Sequence, residues 1–218
     1  MSLERIEVNL DMCALRLSIA LDQLDLATAA NRDAIAASQA RTDQELGRAM
    51  EAECAAGMIA IAGAAFALDA FYAALKERSP RAASIAMSTG NRRPTRYKII
   101  AEAIRREFRI GPKGFANMVG ILRQVFRFRD YAVHPRMDFA APVLKEEVNK
   151  ATEWRFVSFS AGSARNAVRG TLALLVQVLE RPRDPSPALA SYLDGLRKEL
   201  GDLATRWRAT YGLLTDDE

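Results

Sequence analysis

The sequence predicts an all-α protein, an antiparallel helical bundle that begins with a long N-terminal helical hairpin. Three observations carry this. Ala, Leu and Arg are abundant while only 7% of the residues are aromatic, a composition that favours helix. The apolar residues Ile6, Leu10, Cys13, Leu17, Leu21 and Leu24 recur every three or four positions, the spacing of one helix face. Breakers ("SP" at 79, "GP" at 111, "RPRDPSP" at 181) then divide long periodic stretches from one another.

The elements follow in order. A first helix runs from about Ile6, and "TDQE" at 42 to 45 has the Thr and Glu spacing of a capping box. A second long helix is expected from there to Arg78. Residues 79–95 mix Ser, Pro, Gly and Arg without period and read as an exposed connection with one short helical turn. Ile100, Ile104 and Phe108 mark a third helix, stopped at Gly111, where glycine can adopt the left-handed conformation. Pro112 then opens a fourth helix reaching Val133. The region from Trp154 to Phe159 has aromatic and β-branched character suited to a short extended piece. A further helix spans about 161–180, and a last amphipathic helix about 188–211. Residues 1–180 read as the bundle, and 181–218 as a C-terminal helical extension packing on the bundle or on a partner.

Several classes of protein fit poorly. The start "MSLERIEVNLDM" mixes acids and bases, unlike a signal peptide, so the cytoplasm is the expected location. The uncharged run 54–68 is shorter than the roughly 18 to 20 residues needed to span a bilayer, so a buried central helix is expected rather than a membrane segment. Cys13 and Cys54 are too few for a disulfide scaffold and read as reduced core residues. There is no Cys/His spacing for zinc and no Gly-rich phosphate loop. Neither a metal nor a cofactor is expected.

Charge is unevenly distributed along the chain. The net charge is +4, yet residues 91–136 hold 12 Lys and Arg against the three acids Glu102, Glu107 and Asp130. Such a concentration suits a polyanion, or is simply a solvated face. Within it, Phe115, Val119, Leu122 and Phe126 step by three or four residues, and Arg129 and Val133 continue the stripe. A guanidinium cannot shed its charge. Arg129 must therefore meet an acid, a wet cleft or a bound anion, and an acid on the first or second helix is one such partner. Asp130 and His134, four apart, can meet on a helix surface, where the carboxylate would orient the imidazole. Pro135 disfavours helical geometry at His134, so the ring can turn toward Arg129; alternatively, His134 simply caps the helix C-terminus.

The segment "RDYAVH", Arg129 to His134, resembles the Arg, four to six residues, His motif of the HEPN superfamily, with a polar residue after the arginine. That resemblance implies a helical bundle that dimerises and brings two motifs together. It further implies a metal-independent endoribonuclease of toxin or phage-defence type, with an antitoxin or defence protein as a possible partner, or else a non-catalytic module that binds a nucleotide, nucleic acid or protein. The catalytic residues it implies are Arg129, His134 and Asp130. Arg92, Arg93, Arg96, Arg123, Arg127 and Arg136 are candidates to hold the RNA backbone. Arg127 has a second possible role, stacking on Tyr131 four residues on. The chain has one histidine, while cleavage wants both a base and an acid, so a homodimer with a composite site is expected.

Overall fold

The structure is a computed structural model and describes residues 10–84, 94–133, 141–181 and 185–214. It is an all-α bundle, as expected, with a single two-stranded sheet among the described residues. Helix α1 (Met12–Ala40) and helix α2 (Asp43–Arg78) form the hairpin. Asp11 starts α1 by accepting from the backbone N–H groups of Cys13 and Ala14 at 2.8 and 2.9 Å. Arg41 ends it in the left-handed region at φ 58°, and the Thr42 N–H reaches back to the Ala37 carbonyl at 3.0 Å. This tight turn also aims the Thr42 hydroxyl at the same carbonyl, 3.3 Å away. The expected capping box is therefore not made.

Small residues let the two helices approach closely. Ala20, Ala27, Ala34, Ala60, Ala64 and Ala67 are fully buried, and a Cβ on Gly63 would lie 3.0 Å from the Ala20 Cβ. The uncharged run 54–68 sits at the centre of this packing. As a whole, α2 is long and apolar enough to cross a membrane by length and composition, and 56% of its most apolar window is buried inside the protein.

After α2, the described start of the connection, residues 79–84, is partly buried. Ser79 and Ala82 are buried, with Ser79 capping the short helix α3 (Pro80–Ala83) and donating its hydroxyl to the buried Glu107 carboxylate. Helix α4 (Arg96–Glu107) buries Ile100, Ala101, Ala103 and Ile104. Its stop lies on Arg109 at φ 45° rather than on Gly111, and the Ile110 N–H bonds to the Arg105 carbonyl at 3.1 Å. That closure puts Ile110 into the core, which outweighs the strain of a non-glycine residue in that region. Helix α5 (Pro112–Val133) then begins on its proline, as predicted.

On the surface of α4, Glu102 lies 2.7 Å from Arg105 and 2.6 Å from Arg106. The Arg105 hydrogen bond, then that of Arg106, holds this carboxyl down at about 2 against the opposing effect of burial. Its contribution to stability is therefore complete above the unfolded value near 4.3 and fades as the pH falls toward 2. With both arginines largely solvated, it amounts to less than about 1 kcal/mol. Glu102→Gln should accordingly melt slightly below the parent at pH 7 and together with it at pH 2; a gap that persists in acid would show that the arginines are not its source.

Strands β1 (Val143–Lys145) and β2 (Lys150–Thr152) pair antiparallel, with Leu144 opposite Ala151, around a 3₁₀ turn at Glu146–Val148. The stretch whose composition suits a short extended piece forms a short helix, α6 (Trp154–Ser158). Helical winding here lets Trp154 reach Tyr131, ring centroids 5.7 Å apart, while Phe159 is buried. Helix α7 (Ala161–Leu179) is capped by Ser160 and buries Leu172, Leu174, Leu175 and Val178. Helix α8 (Pro187–Tyr211) is capped by Ser186, and its Leu189, Leu193, Leu196, Leu200 and Trp207 join the same core as α1, α2 and α7.

Candidate nucleic-acid interface

Helix α5 carries the basic residues, and its geometry decides which of them can act together. Met118, Leu122, Val125 and Phe126 are its buried residues. Arg129, three residues past Phe126, continues that face. Its side chain is 22% exposed, its guanidinium carbon lies 5.0 Å above the Phe126 ring, and Nη2 is 2.9 Å from Asp130 Oδ1. Nε is buried without a hydrogen-bond partner. The acid that meets Arg129 is thus its own neighbour, not a carboxylate on α1 or α2. Asp130 is 59% exposed and meets Arg129 through Oδ1 alone, so water can compete for it; its expected pairing with His134 falls outside the described residues.

His134, Arg92, Arg93 and Arg136 lie outside the described residues. Arg96 belongs to a different neighbourhood: its Nε is 2.6 Å from Asp69 and its guanidinium lies 4.7 Å over Tyr72, which ties the start of α4 to α2. Arg123 and Arg127 do come together. They line a groove of about 520 Å³ with Gly120, Gln124, Phe128 and Tyr131, closed on one side by Ser158. Arg127 donates from Nε to the Tyr131 hydroxyl at 2.8 Å and lies 5.4 Å over its ring, so the stacking foreseen from their spacing is present. At about 100° per residue, Arg127 and Arg129 point roughly 160° apart around α5. Of the described arginines of α5, Arg123 and Arg127 therefore share one face and Arg129 lies on another.

The other side of α5 ends in an apolar groove of about 370 Å³, lined by Ile19 of α1, Ile59 and Phe66 of α2, and Ala132 and Val133. Val133 is 53% exposed and Ile59 46%. Arg16 covers the Phe66 ring at 5.2 Å.

Sequence reasoning missed two groups. The first is the grouping of Gln124 and Phe128 with Arg123 and Arg127, although positions 120, 123, 124, 127, 128 and 131 follow helical spacing along one stripe. The second is a buried ion pair, Glu53 on α2 and Lys145 on β1, 3.0 Å apart with side chains 2% and 1% exposed. An acid directly in front of the uncharged run was its only signal. Of the two thiols, Cys13 is fully buried and Cys54 only partly so; both are free, and burial pushes each upward. No group of three or more His, Cys, Asp and Glu fit to hold a metal occurs among the described residues. Comparison with protein-family models, with curated proteins and with solved structures finds no match, so the functional reading rests on the chain's own residues.

Proposed function

We propose that the protein is a metal-independent endoribonuclease of HEPN type that works as a homodimer in the cytoplasm, in a toxin or phage-defence setting where a partner protein restrains it. The observation that carries this reading is Arg129. A cation stands at the end of a buried helical face, with Nε unpaired and an exposed neighbour as its one counter-charge among the described residues, five residues ahead of the chain's one histidine. In the proposed reaction an RNA 2′-oxygen attacks the adjacent phosphorus while the P–O5′ bond breaks, leaving a cyclic phosphate and a 5′-hydroxyl. One His134 takes the 2′-hydroxyl proton and the His134 of the second copy protonates the departing oxygen. Arg129 exchanges Asp130 for the phosphoryl oxygens, where charge builds up.

The apolar groove beside Val133 supports a second copy docking on this side of α5. It would place the two motifs near a common axis and cover Ile19, Ile59 and Phe66. The competing reading is a binding module without catalysis, favoured by the 2.9 Å contact that already neutralises Arg129.

The test is mixed RNA incubated with the purified chain in excess chelator. Fragments ending in cyclic phosphate are expected, with His134→Ala and Arg129→Ala each slowing their appearance by at least about 100-fold. Intact RNA, or cleavage that survives His134→Ala, would overturn the proposal.

A further inference from the structure

We infer that the groove on the outer face of α5 seats one unpaired nucleotide of single-stranded RNA, next to the bond that is cut; this rests on the ribonuclease reading for the identity of the polymer. The groove has what a flipped-out base and its phosphate require. Arg127 is held against Tyr131 by its hydrogen bond and ring contact, and Tyr131 is braced edge-on by Trp154 at 5.7 Å and 74°. A guanidinium fixed in this way is a planar surface on which a base stacks. Arg123, one turn earlier, supplies charge for the phosphate, and neither arginine has an acid partner among the described residues. Gln124 presents both donors and an acceptor to a base edge. No acid among the described residues lines the groove.

Gly120 keeps the end of the groove open, because a Cβ there would meet nothing within 4 Å. The volume of about 520 Å³ falls in the range of small-molecule sites, enough for a nucleotide and too small for a duplex. An A-form helix keeps its base faces stacked inside and could offer this groove only backbone. Tyr131 precedes His134 by three residues in the sequence.

The experiment uses the full chain carrying His134→Ala, so that binding is read without cleavage, with a labelled short single-stranded RNA and its duplex as probes. Fluorescence anisotropy should show tighter binding of the single strand. Gly120→Leu fills the groove at a position with free space around it, and Arg127→Gln removes the platform; each should weaken single-strand binding roughly 5- to 150-fold and leave duplex binding unchanged. Equal affinity for both probes, or full affinity in Gly120→Leu with its circular dichroism intact, would overturn the site. The two proposals fail separately. A parent chain that cleaves RNA while Gly120→Leu binds normally removes the groove and keeps the enzyme. A chain that never cleaves while Gly120→Leu loses single-strand binding keeps the groove and removes the enzyme.

Discussion

Gly57→Ala should lower the unfolding free energy by about 3 kcal/mol or more, which for a chain of this size moves the melting midpoint down by roughly 6 to 12 °C. A Cβ at Gly57 would lie 2.1 Å from the Phe159 carbonyl oxygen and 3.0 Å from its carbon. Both are backbone atoms. Rotating a side chain cannot relieve the clash, so α2 and the α6–α7 junction must move apart. That junction is fastened on several sides: Phe159 is buried, its N–H bonds to the Arg155 carbonyl at 2.9 Å, and Ser160 caps α7. Gly47→Ala is the matched control. It sits in the same helix with nothing within 4 Å of the new Cβ, and should stabilise by about 0.5 to 1 kcal/mol through helix propensity. Urea or thermal unfolding of the two variants decides the matter; a Gly57→Ala protein that melts with the parent would show that the helices can part without cost.

The second large effect is expected at the buried pair. Glu53 Oε1 accepts from the Ala161 N–H at 2.8 Å, from the Asn31 amide at 3.1 Å and from Lys145 Nζ at 3.2 Å. One carboxylate thereby joins α1, α2, β1 and the first turn of α7. Glu53→Leu would leave an ammonium, an amide and a helix N–H unpaired in the interior, at a cost of about 3 to 5 kcal/mol. The charges matter less than the acceptor. In the double variant Glu53→Gln with Lys145→Met, the amide oxygen still serves Asn31 and Ala161 while no lone charge remains, so most of the lost stability should return. Denaturant midpoints of the Glu53→Leu and double variants test this; equal losses would mean that the ion pair itself, rather than the satisfied hydrogen bonds, holds the joint.

Much of the bundle was legible because its helices end where local chemistry stops them. Pro112 opens α5, and the breakers at 79 and 181–187 bracket α2, α7 and α8 within a residue or two. Where a tertiary contact chose between local options, the sequence misled. Thr42 had the spacing of a cap but turns to Ala37, and Arg109 takes the left-handed turn although Gly111 lies two residues on. The three-residue strands at 143–145 and 150–152 are too short for alternation to stand out among charged residues, and they are held in part by Lys145 finding Glu53. At the candidate site, the 3,4 spacing correctly put Arg129 on the buried stripe. Which arginines of residues 91–136 share a face was not legible in a run of charge, since positions two apart on a helix, such as Arg127 and Arg129, point nearly half a turn apart.

The smaller apolar cluster has a consequence for how the molecule moves. Ala34, Ala37, Leu46, Met50 and Val148 pack at the turn of the hairpin, separate from the main core, and the 3₁₀ turn is fastened there by Ser38 donating to the Val148 carbonyl at 2.9 Å. So few side chains hold that end that it forms a compliant tip on a stiff stem, breathing as a unit while the stem stays shut. Amide protons of the tip will exchange with solvent through these excursions, well before those around Ile61 and Leu68, which are released only when the whole chain unravels.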